Sequence, residues 1–197
     1  VVLELHGHRV GSFATGILCV ARSGAFRLAA MPAILPPPTS PLGPEQAALL
    51  ERRVSIVVAS RDAQRRPHLM RALGCRLCAD GRCMTLLLPL RGAAQVLEDL
   101  RSNGAIAAVF SEPTTNRSLQ LKGDDAQVLP ATAEDETLAA EHLERFVAEI
   151  GELGFPASVA QTILCAEGGI AAVRFSVREA YEQTPGPRAG VRLGDGG

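Results

Sequence analysis

Alternating apolar and polar positions predict a series of short strands through the middle of the chain. Residues 54–60 are a β-branched run, which is typical of a buried strand. Residues 68–77 and 83–88 are predicted as the next two strands, because Asp80-Gly81 between them is a strong hairpin signal. Further strands are predicted at residues 105–110, 118–122 and 173–177.

Apolar residues that recur every three or four positions predict helices between and after these strands. Short helices are expected at residues 45–53 and 92–102. A long helix is predicted after Thr132, which would cap it together with Asp135, and Gly151 marks its end. Because hairpins join most of the strands, the pattern predicts a mainly β, α+β fold, an antiparallel barrel with peripheral helices.

The N-terminal residues differ from this pattern. Residues 1–43 are predicted to be an extension, disordered or not native, since the first Met is Met31 and four prolines follow it at 36–41. Residues 10–21 also resemble the apolar part of a signal peptide, which leaves export open. The folded domain is expected at residues 44–182, with 183–197 as a C-terminal tail.

Composition narrows the classes of function. Hydrophobic residues make up 47% of the 197 residues, which predicts a globular domain with a sizeable core. A net charge of -1 argues against a nucleic-acid or membrane-surface partner, because those surfaces attract basic faces. Aromatic residues are only 4%, so a base-stacking platform is not expected. No apolar run is long enough to predict a transmembrane helix.

The five cysteines could suggest metal or disulfide chemistry. Their odd number and irregular spacing do not indicate a disulfide framework, and a reducing, cytoplasmic setting is the simplest interpretation. Cys75, Cys78 and Cys83 with His68 could hold a metal. However, only one CxxC pair is present, and its members would point to opposite faces of a regular strand. We therefore expect core and turn cysteines and no metal site.

The remaining candidates for chemistry are basic residues at the ends of elements. No nucleophile elbow or glycine-rich phosphate loop is found, and His142 is expected on the solvated side of its helix. Arg91 at a helix start could bind a phosphate or simply face solvent. Arg71 lies in an apolar strand and needs a partner, which could be an acid such as Glu98 or Asp99, or a ligand phosphate. The polar stripe that includes Ser118 could face a cofactor ring or water.

This order of elements resembles the pyridoxamine 5'-phosphate oxidase-like, FMN-binding split-barrel superfamily. The resemblance covers about the central 80 residues: an Arg-containing strand, a second strand, an Arg at a helix start, and Arg117-Ser118 before Lys122-Gly123. It implies a six-stranded antiparallel split β-barrel and a bound FMN. Matching the motifs residue by residue places FMN at Arg71, Ala72, Leu73, Gly74, Cys75 and Arg76, then at Thr85, Leu86, Arg91, Gly92 and Ser118.

The resemblance also implies a function and a partner. It implies a homodimer with the flavin at the subunit interface, and an FMN-dependent oxidoreductase whose small-molecule substrate is unknown. The family's C-terminal Trp has no counterpart, because the chain contains no Trp, and its substrate-gripping residues are not recognisable. The namesake reaction is therefore not expected. A non-catalytic flavin or haem carrier on the same barrel is the alternative.

Overall fold

A computed structural model describes residues 42–52 and 54–194 of the chain. The predicted N-terminal extension thus lies outside the described residues except for its last two, and so do the last three residues of the predicted tail. Within the described part, no helix is long and apolar enough to cross a membrane.

The described residues form two antiparallel sheets and four helices. The strands are β1 Ser55–Arg61, β2 Pro67–Arg71, β3 Gly74–Leu77, β4 Cys83–Pro89, β5 Ile106–Ser111, β6 Ser118–Gly123, β7 Gln127–Pro130, β8 Ile170–Ser176 and β9 Glu179–Glu182. The helices are α1 Pro44–Leu50, α2 Ala94–Asn103, α3 Ala133–Glu152 and α4 Ala157–Ile163. One sheet has the order β2-β1-β5-β6-β9 and the other β3-β4-β8-β7. This is a mixed α+β fold, and it does not close into a barrel.

The predicted strand at residues 68–77 is in fact two strands in different sheets. β2 pairs with β1, whereas β3 pairs with β4. Between them, Ala72 and Leu73 are both buried, so the alternation of exposed and buried positions breaks there. Ala72 donates its amide to Ile56 at 3.0 Å and Leu73 donates its amide to Leu87 at 2.7 Å, which fixes the crossing from one sheet to the other.

The main core lies between the inner faces of the two sheets. Its fully buried members come from both sheets and include Ile56, Val58, Phe110, Leu86 and Phe175. A second apolar cluster packs α3 and α4 on the other face of the four-stranded sheet, against residues such as Leu87 and Ala172. Each face of the four-stranded sheet is therefore covered, whereas the five-stranded sheet packs its inner face on the core.

Two further features complete the fold. The cap predicted for α3 is confirmed, since the Thr132 hydroxyl accepts from the Asp135 amide at 3.3 Å and Asp135 reciprocates at 3.0 Å. Beyond the elements that the sequence predicts, β9 pairs with β6 and adds a fifth strand to its sheet. The nine strands of the described residues thus replace the six predicted ones.

Candidate functional site

The outer face of the five-stranded sheet is the candidate functional site. Antiparallel register aligns its side chains in three rows across the strands, because residues two apart on a strand share a face. One row is Arg71, Val57, Val109, Gln120 and Tyr181; the next is Leu69, Ala59, Ala107, Lys122 and Glu179; the third is Ser55, Ser111 and Ser118. These residues are all at least partly exposed, and Leu69 is 65% exposed.

Arg71 supplies an uncompensated positive charge on this face. Its guanidinium donates through Nη1 to the Ser55 hydroxyl. Within the described residues no carboxylate forms an ion pair with it. Of the two acids that the sequence offered as partners, Glu98 is exposed on α2, and Asp99 is bound to Ser60 and His68 on the other face of the sheet. A half-buried guanidinium with no counter-charge is a natural site for an anion.

The third row provides hydroxyl groups beside this charge. Ser118 donates its hydroxyl to Ser111 at 2.8 Å, and Ser55 lies opposite Ser111 in the register. The Ser118 amide in turn donates to the Thr184 hydroxyl at 3.0 Å. Short hydroxyl side chains on three neighbouring strands can reorient to donate to phosphate oxygens, because a hydroxyl hydrogen rotates freely.

The middle of the face is apolar and built from small side chains. Val57, Val109, Ala59 and Ala107 lie on the neighbouring strands β1 and β5. The polar stripe predicted on β6 borders them, and its Lys122 ammonium lies 4.5 Å from the centroid of the Tyr181 ring. A flat aromatic ring system could lie on this centre with polar groups at its edge.

A pocket of about 330 Å³ opens beside Ser118, at one end of the outer face. Its walls come from α1, from β6 and from the predicted C-terminal tail, with Glu45, Arg117 and Arg188 among the lining residues. Arg117 donates to Glu45 at 2.6 Å. The tail therefore packs on its own chain at this point and adds Arg188 to the surroundings of the serine row.

The other residues of the predicted Arg71 segment do not reach the outer face. Ala72 and Leu73 have buried side chains, and Gly74 lies against α3, where a Cβ would be 3.5 Å from the His142 Cβ. Cys75 packs on the core and donates its thiol to the Leu50 carbonyl at 3.6 Å. Burial raises the pKa of the Cys75 thiol to about 12. Arg76 instead donates to Asp135 of α3 at 3.1 Å.

The remaining predicted FMN residues lie around the four-stranded sheet. Thr85 is paired with Arg76 across the strands and is buried, and the Leu86 side chain is fully buried in the core. Arg91 is exposed and forms an ion pair with Glu167, while Gly92 follows it with a φ of +81°. α2 begins at Ala94, so Arg91 precedes the helix. The structure thus brings Arg71 and Ser118 onto one face, and it does not bring the other predicted residues there.

Burial also corrects the expectation that His142 is solvated. Only 4% of this residue is exposed, and its Nε2 has no hydrogen-bond partner among the described residues. Burial and the nearby Arg145 lower the pKa of His142 to about 4. A hydrogen bond with the Val54 backbone acts in the opposite direction and raises the pKa, but it is the smaller effect. The side chain is therefore neutral at physiological pH.

A buried polar network that the sequence analysis missed ties α2 to the five-stranded sheet. Asp99 is 2% exposed and accepts hydrogen bonds from Ser60 Oγ at 2.7 Å and Gln95 Nε2 at 3.1 Å, while its Oδ2 lies 2.8 Å from His68 Nδ1. Burial raises the pKa of Asp99, but these hydrogen bonds outweigh it and hold the pKa below its usual value. The sequence does contain one indication of this network, because Asp99 lies among the apolar positions of α2.

The cysteines also differ from the expectation. Cys78 and Cys83 are joined in a disulfide across the turn between β3 and β4, whereas Cys75 and Cys165 are free. Their spacing of five residues matches the two ends of the hairpin that Asp80-Gly81 predicts. Because two of the cysteines are bonded, the cysteine spacing no longer supports a reducing setting. The cytoplasmic location therefore stays a prediction.

Similarity to known proteins is found among solved structures. No family model and no curated protein sequence matches the chain. Among solved structures the chain is similar to HupZ from Group A Streptococcus, with 19% identity and a TM-score of 0.47 over 76% of this chain and 99% of that one. It is also similar to HutZ, described as the heme storage protein from Vibrio cholerae, with 15% identity and a TM-score of 0.43 over 72% and 94% of the two chains.

A putative pyridoxamine 5'-phosphate oxidase from Lactobacillus delbrueckii is a third similar structure. Its identity is 16% and its TM-score 0.44, over 71% of this chain and 93% of that one. A structure from Clostridium acetobutylicum that is described as belonging to the pyridoxinephosphate oxidase family is similar as well. The superfamily that the sequence resembles is thus named among the structures to which this chain is similar.

Proposed function

We propose that the chain is an FMN-binding flavoprotein, a flavin-dependent oxidoreductase of the pyridoxamine 5'-phosphate oxidase-related type, with the flavin on the outer face of the five-stranded sheet. The observation that carries the proposal is the position of Arg71. Its guanidinium is half-buried, donates to the first of three serine hydroxyls that form a row across the sheet, and has no carboxylate partner among the described residues. A phosphate would supply the missing negative charge and accept from the guanidinium and the hydroxyls together.

The residues present on this face fit the parts of FMN. Arg71 with Ser55, Ser111 and Ser118 would hold the phosphate. Val57, Val109 and the two central alanines would lie under the ring system, because their small side chains allow a flat molecule to approach the sheet. Gln120 and Lys122 at the edge could hydrogen-bond polar ring atoms, although Gln120 now accepts from Gln183 Nε2 at 3.3 Å.

Arg91 is the weaker candidate for the phosphate contact. The resemblance gives it this role, but its guanidinium pairs with Glu167, and both side chains are largely exposed. A phosphate at Arg91 would have to displace a carboxylate. At Arg71 it would meet only a hydroxyl, so the phosphate is proposed to lie there.

The bound flavin would supply hydride or electron transfer, which is the chemistry that such a cofactor brings to a protein. The chain's own residues would bind and orient it and keep water from one side of the ring. We propose that a second copy of the chain covers the outer face, giving a homodimer with two flavins at its interface. On this proposal the two sheets are the halves of a split barrel.

The alternative of a haem carrier is less well supported by the outer face. Haem iron takes a histidine, cysteine, methionine or tyrosine ligand. Of these residue types the three rows hold Tyr181, whose hydroxyl donates to Glu179 at 2.9 Å. His68 lies on the inner face, bound to Asp99. A flavin carrier without turnover would use the same contacts as the enzyme. Reduction of the bound flavin by NADH or NADPH distinguishes the two, since a carrier would not be reduced.

The proposal is tested by titrating the full chain with FMN and following the quenching of flavin fluorescence. Loss of one charge-assisted contact costs about 1.5–3 kcal/mol, so Arg71→Gln is expected to weaken binding about ten- to a hundredfold. Arg91→Gln removes the same charge from the site that the resemblance predicts and is expected to weaken binding less than about threefold.

Two outcomes would contradict this assignment. If the parent chain neither contains nor binds FMN, the flavoprotein proposal is wrong. If Arg91→Gln weakens binding strongly and Arg71→Gln does not, the flavin is bound at the helix start and the outer face has another role. Arg101→Gln, at an exposed position in the last turn of α2, is the control for a general loss of positive charge.

A further inference from the structure

The turn between β3 and β4 carries a second group of reactive side chains, separate from the outer face. Cys78 and Cys83 flank the turn, with their Cα atoms 5.3 Å apart. The Cys78 amide donates to the Cys83 carbonyl at 2.8 Å, and the Gly81 amide donates to the Cys78 carbonyl at 2.8 Å. Backbone hydrogen bonds therefore define this turn whether or not the two sulfurs are bonded.

Asp80 adds a further contact that holds the turn without the sulfurs. Its carboxylate accepts from the Arg82 amide and from the Arg82 guanidinium, each at 3.0 Å. A disulfide that closes so short a loop removes less chain entropy than one across a long loop. Since the turn is already stabilised in other ways, holding the fold together is not a sufficient role for this bond.

Arg174 on β8 places a positive charge at the two sulfurs. Its Nη2 lies 3.4 Å from Cys83 Sγ and 4.0 Å from Cys78 Sγ. Within the described residues Arg174 forms no ion pair with a carboxylate, so its charge is available to the sulfurs. A guanidinium next to a thiol favours the thiolate, which is the form that attacks disulfides and the better leaving group.

The other charged groups at the turn oppose this effect only in part. The Asp80 carboxylate lies within 4.8 Å of both sulfurs, but it is bound to Arg82. Arg76, which is paired across β4 with Thr85 and so lies in the same row as Arg174, is neutralised by Asp135. Arg174 is therefore the charged group at the sulfurs that has no ion-pair partner among the described residues.

We propose that Cys78 and Cys83 form a reversible dithiol–disulfide pair that exchanges with small-molecule disulfides and thiols, with Cys83 as the sulfur that Arg174 activates. This is a redox modification site distinct from the flavin site. Both cysteines are partly exposed and open to small reagents. Cys75 is also partly exposed as a residue, but it packs against the core and its thiol donates to a backbone carbonyl.

The exchange is balanced in two steps. The Cys83 thiolate attacks one sulfur of a small disulfide such as oxidised glutathione, forms a mixed disulfide and releases one glutathione thiolate. The Cys78 thiolate then attacks Cys83 Sγ, forms the internal bond and releases the second glutathione. One disulfide is reduced to two thiols while two protein thiols become one disulfide, and the two protein protons pass to the released thiolates.

The equilibrium is tested by incubating the full chain in mixtures of reduced and oxidised glutathione, alkylating the free thiols and mapping them by peptide mass spectrometry. Cys78 and Cys83 are expected to change together, from both alkylated to both bonded, as the oxidised fraction rises. Cys75 is expected to stay unchanged as an internal control. A pair that remains bonded in excess dithiothreitol, or never bonds in oxidised glutathione, overturns the proposal.

The role of Arg174 is tested by the rate at which iodoacetamide alkylates Cys83 in the reduced chain. Arg174→Gln is expected to slow this rate near neutral pH about tenfold, because it removes the positive charge that favours the thiolate. Arg178→Gln, an exposed arginine just after β8 that pairs with Asp124, is the matched control and is expected to leave the rate unchanged. Equal rates in the parent and Arg174→Gln overturn the activation by Arg174.

A cation is the competing occupant of the reduced turn, since Asp80 and the two sulfurs could together hold one. The reduced chain is therefore also incubated with zinc before alkylation. If zinc protects both cysteines, if Asp80→Asn abolishes this protection, and if zinc prevents disulfide formation in the glutathione mixtures, the turn is a metal site and the redox proposal is overturned. Unprotected cysteines in the presence of zinc support it.

Discussion

At the residue scale, His142 illustrates how spacing and residue type can give opposite indications. Ala139 and Phe146 are buried on α3, and position 142 lies three residues after one and four before the other. Helical periodicity alone therefore places His142 on the same face. The polar side chain suggested the solvated side instead. Its ring stacks near Phe146, with centroids 6.5 Å apart, so here the spacing decides the position.

Burial of His142 makes the stability of the fold depend on pH. Its pKa is about 4 in the folded chain and 6.5 when unperturbed, so the unfolded chain takes up the proton at higher pH. Stability is then full above pH 6.5 and falls as the pH drops towards 4. We expect a loss of about 2 kcal/mol from this residue between about pH 7.5 and about pH 5.

Urea unfolding of the parent and of His142→Phe at these two pH values measures this contribution. The variant keeps an aromatic ring but cannot take up a proton, so its free energy of unfolding is expected to fall less on acidification. If both proteins lose the same free energy, protonation of His142 is not the cause of the pH dependence.

At the element scale, the sequence predicted the positions of the strands better than it predicted which strands pair. β1, β5 and β6 alternate regularly, and their bounds were predicted to within a residue or two. The break between β2 and β3 was not predicted, because Ala72 and Leu73 continue an apolar run and only their partners show that they change sheets. Long-range pairing carries no local signal, and the same reason hid β9, which has only four residues.

α2 is attached to the five-stranded sheet through a buried carboxylate as well as apolar contacts. Asp99→Ala would remove the acceptor for Ser60 and Gln95 and the partner of His68, leaving polar groups on three elements unsatisfied. We expect the variant to lose about 3 kcal/mol in the free energy of unfolding. Glu98→Ala removes the neighbouring exposed carboxylate and is expected to change stability by less than about 0.5 kcal/mol. Chemical denaturation of both variants at neutral pH makes the comparison, and similar losses would contradict a structural role for the Asp99 network.

At the scale of the whole molecule, composition and pattern predicted an antiparallel α+β domain but not its division into two sheets. The candidate site was predicted only in part for the same reason. Arg71 and Ser118 lie on strands whose alternation puts them on the outer face, and this alternation can be read from sequence. Arg76 and Thr85 belong to the other sheet, and the motif match, which follows chain order alone, could not separate the two groups.

The outer face itself predicts how the whole molecule assembles. Its apolar centre of Val57, Val109, Ala59 and Ala107 is partly exposed, and a second copy of the chain would cover it together with the flavin that is proposed to lie on it. Light scattering is therefore expected to give about twice the chain mass of 20.7 kDa. Val109→Glu would place a charge in the centre of each interface and is expected to give monomers. Phe155→Glu introduces the same charge at a residue that is 53% exposed beyond α3, and it is expected to leave the dimer intact. If the parent is monomeric, or if Phe155→Glu separates the subunits and Val109→Glu does not, the outer face is not the interface and the flavin would have to be held by one chain alone.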